Sequence, residues 1–194
     1  MKFQLTRKQL VDAPRRLALI TAITGFVVGV AVLDSSPAHS IGGLCNGRPA
    51  SRPWLDASGQ AGPAVLDGTR GDDVIIGSDG DDTIDGRGGN DTICGGPGND
   101  SITVGPGGNS FVDGGTGDNN IGTVGTVHSV TLVSGLGNST LEVGNTVAPS
   151  YLYAGPGNNV LIHNGRGHVK MVGGRPGFND CIAEGGDELV NCDQ

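Results

Sequence analysis

The sequence predicts an all-β fold, a right-handed parallel β-solenoid of nine-residue repeats with terminal caps. Three observations predict it. Glycine supplies 37 of 194 residues, against an average usage of about 7%. Aromatic residues are only 4% of the chain, so a core of packed rings is not available. From Gly68 onward the chain falls into consecutive nines, each with one apolar residue at the same place. So much glycine alone would suggest disorder. Regular apolar spacing at a fixed short period instead marks a stacked repeat.

Residues 1–40 are expected to be a secretory signal. Lys2, Arg7, Lys8, Arg15 and Arg16 precede an apolar run from Leu17 to Leu33, and small residues end at Ser40, where cleavage is placed. Removing this segment leaves 18 acidic against 7 basic residues, a net charge of −11. A chain this acidic is a poor partner for nucleic acid or an anionic membrane and a good one for cations. No stable membrane insertion is expected once the signal is cleaved. The expected location is extracellular. Cys45, Cys94, Cys181 and Cys192 all follow the signal. An even count in an exported chain points to disulfides, for which three pairings exist. Cys45–Cys94 with Cys181–Cys192 is the favoured one. The C-x-x-C spacing of a metal site is absent.

Residues 41–67, with Trp54, Leu55, Val65 and Leu66, read as an N-terminal cap or lead-in. A solenoid needs one because its end turn exposes apolar side chains and unpaired strand edges.

The repeats proper span 68–112: GTRGDDVII (68–76), GSDGDDTID (77–85), GRGGNDTIC (86–94), GGPGNDSIT (95–103) and VGPGGNSFV (104–112). The eighth position holds Ile75, Ile84, Ile93, Ile102 and Phe111. The sixth holds Asp73, Asp82, Asp91 and Asp100, then Asn109. Glycines let the backbone turn tightly at positive φ. The last three residues of each nine form a short strand whose middle side chain points inward. Two nines make one turn of a flattened coil, so loops two repeats apart lie above one another about 4.8 Å apart. Carboxylates stacked at that spacing repel unless a cation sits between them. Ca²⁺ takes six to eight oxygens, and glycine loops expose carbonyls beside the carboxylates. The expected pairs are Asp73 with Asp91 on one edge and Asp82 with Asp100 on the other, with a weaker third between Asp91 and Asn109.

The motif G-G-x-G-x-D-x-U-x in these copies resembles the RTX (haemolysin-type) calcium-binding repeat. GGPGNDSIT matches it at every fixed position, and the three copies before it lack only the second Gly. The run Cys45-Asn46-Gly47-Arg48-Pro49-Ala50 ahead of the repeats, with Cys94 inside them, is similar to small secreted calcium-binding proteins of Gram-positive actinobacteria. The resemblance implies a parallel β-roll, and Ca²⁺ held by the sixth-position aspartates and loop carbonyls.

Over 113–175 the spacing slips after an extra residue, read as Asp113. GGTGDNNIG (114–122), SGLGNSTLE (134–142) and AGPGNNVLI (154–162) keep turn and core but lose the carboxylate. Ser139 and Asn159 take its place, and Ile121, Leu141, Leu152 and Leu161 extend the core. These are expected to be degenerate turns without calcium, with the insertions as bulges at turn edges. Residues 123–133 suggest strand without a clear loop. Residues 176–194 read as a C-terminal cap in which Ile182, after Asp180, is the inward residue.

No nucleophile elbow, zinc-protease helix or phosphate loop is present. The carboxylates recur in identical copies, which suits repeated ion sites better than the two differentiated roles of a hydrolase. His128, His163 and His168 are read as structural or exposed, and Tyr151 and Tyr153 as outward-facing. The expected function is therefore a secreted, non-enzymatic calcium-binding protein whose ions are coupled to folding. The alternative is a cell-surface structural or adhesive module that binds a glycan or wall polymer.

Overall fold

The computed structural model describes residues 43–193. The expected signal over 1–40 lies outside the described residues. The chain opens with a small antiparallel hairpin, β1 (Leu44–Cys45) and β2 (Arg48–Pro49), and a single 3-10 turn at Pro53–Leu55. Two parallel sheets follow. One contains β4 (Val74–Ile76), β6 (Thr92–Cys94), β8 (Gly107–Asp113), β10 (Thr126–Val133), β12 (Asn145–Thr146), β13 (Ser150–Tyr153), β15 (Val169–Val172) and β17 (Glu188–Val190). The other contains β3 (Val65–Asp67), β5 (Thr83–Asp85), β7 (Ser101–Val104), β9 (Asn120–Thr123), β11 (Thr140–Val143), β14 (Asn159–His163) and β16 (Asn179–Ile182). Apart from β12 the chain alternates between the sheets at every strand. This is a parallel β-solenoid of about seven turns, consistent with the expected right-handed β-roll. Among the described residues no helix is long and apolar enough to cross a membrane.

Each sheet sends a ladder of inward residues into a shared core. Ile75, Ile93, Val112, Leu132, Leu152, Met171 and Leu189 stack in register on one side. Leu66, Ile84, Ile102, Ile121, Leu141, Leu161 and Cys181 stack on the other. Most are sealed from solvent. A nine-residue unit buries too little alone, so stability comes from neighbours closing over each rung. At the N-terminal end Leu55 and Ala57 join this core, whereas Trp54 and Val65 stay exposed.

The outward faces of β4 and β6 depart from the simple in–out alternation. Val74, Ile76 and Cys94 are buried there with Cys45 in a second, smaller cluster. The segment carrying β1 and β2 covers them, and the Cys45–Cys94 disulfide fixes it in place. The second disulfide joins Cys181 to Cys192.

The first turns are 18 residues long, as Ile84↔Ile102 shows, and later turns lengthen to 19 and 20, as in Ile102↔Ile121 and Ile121↔Leu141. The slip begins earlier than Asp113. Gly105 stacks on Arg87, 18 residues back, whereas Gly108 stacks on Gly89, 19 back. The extra residue therefore lies at Pro106–Gly107. Gly107 has φ +107° and open space around its α-carbon, as in an edge bulge. This shift corrects three assignments. Val112, not Phe111, is the inward residue opposite Ile93. Ser110, not Asn109, stands in the sixth position. Asp113 is an ordinary ninth residue opposite Cys94. A similar correction applies at the C-terminal end. Cys181 faces Leu161 and points inward, while Ile182 is half-exposed. Residues 126–133 form β10, with Val127, Val130 and Leu132 buried.

Replacing Ile93 by Ala should cost about 2–5 kcal/mol, because the stack above and below cannot collapse into the gap. Val65→Ala, at an exposed site, should stay within about 0.5 kcal/mol of the parent. Urea denaturation at saturating calcium reads both.

Candidate metal centre

The sixth residue of each nine sits at the coil's edge, just before the strand, and its side chain turns toward the neighbouring turn. On one edge Asp73 N–H donates to Asp91 Oδ1 (3.1 Å) and Asp91 N–H to Ser110 Oγ (3.0 Å). Further along, Val130 N–H donates to Ser150 Oγ and Val169 N–H to Asp187 Oδ1. On the other edge Ala64 N–H donates to Asp82 Oδ1 (2.7 Å), Asp82 to Asp100 Oδ1 (2.9 Å) and Asp100 to Asn119 Oδ1 (2.8 Å). That column continues from Asn119 to Ser139 Oγ and from Ser139 to Asn159 Oδ1. A buried backbone N–H left without a partner is costly. One side-chain oxygen per turn removes that cost, whether Asp, Asn or Ser provides it.

The fifth position runs a second ladder in the opposite direction along the surface. Asn90 N–H donates to Asp72 Oδ1, Asn99 to Asp81, Asn109 to Asn90 and Asp118 to Asn99. Asn138 then donates to Asp118, Asn158 to Asn138 and Phe178 to Asn158. The recurrent Asn-Asp pair thus ties each turn to both neighbours. The sequence expectations assigned the fifth residue no role. Its signal was present in the run of Asp and Asn that fills the place from Asp72 to Asp118.

The structure brings Asp73 next to Asp91 and Asp82 next to Asp100, on opposite edges. All four are 1–2% exposed. Their surroundings differ. Asp82 Oδ1 accepts from Ser78 Oγ as well as Ala64 N–H, and its Oδ2 from Ser78 N–H. Asp73 Oδ2 accepts from Thr69 N–H and Oγ1, and its Oδ1 from Ser51 Oγ and the Arg52 guanidinium. Burial pushes the Asp73 carboxyl up, but the Thr69 and Ser51 hydrogen bonds and the Arg52 charge outweigh it, and the net shift is downward. Asp91 and Asp100 lack such company. Their Oδ2 atoms are buried with no hydrogen-bond partner. Burial, reinforced by the charges of Asp73 and Asp82 respectively, raises both carboxyls to about 7.

Each orphan oxygen faces the first glycine of its own loop. A Cβ on Gly86 would stand 2.8 Å from Asp91 Oδ2. A Cβ on Gly95 would crowd Asp100 Oδ2 and stand 2.6 Å from the carbonyl oxygen of Gly114, one turn on. Glycine thus leaves room beside each carboxylate oxygen, next to the Gly114 carbonyl at Gly95 and next to Ile93 Cδ1 at Gly86. Among the described residues no cluster of three or more His, Cys, Asp or Glu side chains forms a metal site. A cation here must draw most of its ligands from backbone oxygens, which suits a hard ion such as Ca²⁺ and not zinc. The residues present fit that ion, and Asp91 and Asp100 would be its anionic ligands.

Residues 67–102 match the family model of the RTX calcium-binding nonapeptide repeat, in four copies. The match contains all four sixth-position aspartates and ends where the carboxylate disappears from the pattern. The match is thus local, and the later turns share its stacking, with Asn119, Ser139, Ser150 and Asn159 in the sixth position before a carboxylate returns at Asp187. No curated protein and no solved structure matches the chain significantly.

Away from these loops, His163 is buried and its Nδ1 lies 2.7 Å from Asp187 Oδ2, while Asp187 Oδ1 holds the sixth-position hydrogen bond. Tyr151 and Tyr153 face outward with parallel rings, 6.2 Å between centroids.

The raised carboxyls set a pH dependence for the calcium-free protein. A folded-state value near 7, above the unfolded 3.8, means that folding favours the protonated form. The stability these two groups contribute is complete below about pH 4 and is lost as pH rises through 7. With calcium removed by chelator, the urea midpoint should be lower at pH 8 than at pH 5. Asp91→Asn/Asp100→Asn should flatten that difference.

Proposed function

We propose that this chain is a secreted, non-enzymatic calcium-binding β-roll protein in which ion binding completes folding. The observation that carries the reading is the pair of buried, partnerless carboxylate oxygens, Asp91 Oδ2 and Asp100 Oδ2, one on each edge of the RTX repeats. A buried carboxylate without a counter-charge is unstable. Ca²⁺ supplies the charge and gathers the nearby carbonyls. Asp73 and Asp82 belong to the same stacked pairs and shape the two sites from the neighbouring turn.

Coupling to folding follows from the same balance. Without the ion, acidic loops repel one another and a glycine-rich backbone gains entropy by unfolding. Extracellular modules bind Ca²⁺ at about 10⁻⁴–10⁻³ M, so export into a calcium-rich, oxidising medium would both fill the sites and preserve the two disulfides. The neutral turns after residue 113 carry no comparable repulsion and keep their hydrogen bonds without metal.

Calorimetric titration of the disulfide-intact protein should show about two ions bound, with a gain of β signal in far-UV circular dichroism. Asp91→Asn/Asp100→Asn should lose both ions and the calcium-induced signal. An unchanged isotherm in that variant, or no binding at ~10 mM Ca²⁺, would reject the reading.

The stacked Tyr151 and Tyr153 rings on an outward sheet face favour a second reading, attachment to an insoluble cell-surface glycan. Sedimentation with purified cell wall, lost in Tyr151→Ala/Tyr153→Ala, would support it. Equal sedimentation of parent and variant would remove it.

A further inference from the structure

The segment ahead of the repeats carries more than apolar cover. Residues 51–57 run beside β4 in the place where a preceding turn would lie. Ser51 N–H donates to Val74 O, Ala57 N–H donates to Ile76 O, and Asp56 bridges Ile76 in parallel. A true preceding turn would present a backbone N–H to Asp73 Oδ1, as Asp73 itself does to Asp91 Oδ1. This segment presents a cation. The Arg52 guanidinium pairs with Asp73 Oδ1, and Ser51 Oγ donates to the same oxygen. Arg52 is steadied from behind by the Trp54 ring, 5.8 Å from its centroid. The Cys45–Cys94 disulfide anchors the segment to β6, the strand that follows Asp91. Arg48 reaches the same strand at Thr92 Oγ1.

Asp73 and Asp91 occupy equivalent sixth positions on one edge, yet only Asp91 keeps an open oxygen. One difference is in the loop, where Thr69 N–H and Oγ1 fill Asp73 Oδ2. Gly68 stands against Asp73 Oδ2 as Gly86 stands against Asp91 Oδ2. The other lies in the preceding neighbour: Asp91 Oδ1 accepts the Asp73 N–H, whereas Asp73 Oδ1 accepts from Ser51 Oγ and the Arg52 guanidinium. We infer that Arg52 is a tethered counter-ion that competes with Ca²⁺ for Asp73, so that the N-terminal segment limits calcium uptake at the first turn. This rests on the calcium reading above and names how one of its sites is regulated. The other end of the same edge is closed in a parallel way, with the His163 imidazole on Asp187. In both places a side chain of the protein partners a sixth-position carboxylate, Arg52 at Asp73 Oδ1 and His163 at Asp187 Oδ2. Because the segment is held by Cys45–Cys94, reduction of that bond should loosen Arg52 and open the first turn.

The test is calorimetric Ca²⁺ titration of the full exported chain, comparing the parent with Arg52→Gln, Arg52→Lys and Arg48→Gln. Circular dichroism at saturating calcium checks that each is folded. Arg52→Gln should take up more calcium than the parent, as a third equivalent or as binding at severalfold lower free Ca²⁺. Adding Asp73→Asn should erase that gain. Arg52→Lys keeps the charge and should behave as the parent. Arg48→Gln removes an equal charge from the same segment and should also leave the isotherm unchanged. Reduction, or Cys45→Ser/Cys94→Ser, should reproduce the Arg52→Gln gain in a background where Arg52 is intact. Two ions in the parent with no gain in Arg52→Gln would overturn the inference alone. An equal gain in Arg48→Gln would overturn it in favour of a general field effect. No calcium uptake by the parent would overturn the calcium reading and this inference together.

Discussion

The structure depends on one recurring hydrogen bond, from the backbone N–H at the sixth position of one turn to the side-chain oxygen at the sixth position of the next. Without it, a stack of tight loops would leave a column of buried donors unpaired along each edge. With it, the loops lie close enough for the inward Ile, Leu and Val residues to touch from rung to rung. The bond needs one oxygen and no charge. That explains why the column survives as Asn119, Ser139 and Asn159 after the aspartates end. Where valine occupies the position, as at Val130 and Val169, it still donates its own N–H forward but offers no oxygen back.

An aspartate has a second oxygen, and its environment decides what the residue does. Asp82 spends it on Ser78 and Asp73 on Thr69, inside their own loops. Gly86 and Gly95, followed by Arg87 and Gly96, offer Asp91 and Asp100 no hydroxyl at the matching place. The same loop frame thus yields two satisfied carboxylates and two with a buried oxygen left unpartnered. Asp187, far along the chain, takes a third course and binds an imidazole.

Most of the fold was legible because a repeat writes the same physical requirement several times. Four copies in phase located the loops, strands and inward isoleucines, and the Ser139 and Asn159 substitutions could be placed by their Gly-x-Gly frames. The register slip was not legible. Val104-Gly105-Pro106-Gly107-Gly108 offers several equivalent glycine alignments, and both Phe111 and Val112 satisfy an apolar position. Cys181 was assigned to a disulfide and Ile182 to the core, although a cysteine is small and apolar enough to serve both ends. The contrast among the four aspartates depends on Ser78, Thr69 and Arg52. The first two lie at a fixed offset within the repeat and were visible in principle. Arg52 lies 21 residues before Asp73 in an irregular segment, and no periodic signal connects them.

The most direct test is a crystal structure grown with calcium, with the ions located by anomalous scattering. The account requires peaks about 2.3–2.6 Å from Asp91 Oδ2 and from Asp100 Oδ2, completed mainly by loop carbonyl oxygens, and none in the columns of Asn119, Ser139 and Asn159. Ions found only at exposed carboxylates such as Asp118 or Glu142, with Asp91 and Asp100 unliganded, would contradict it.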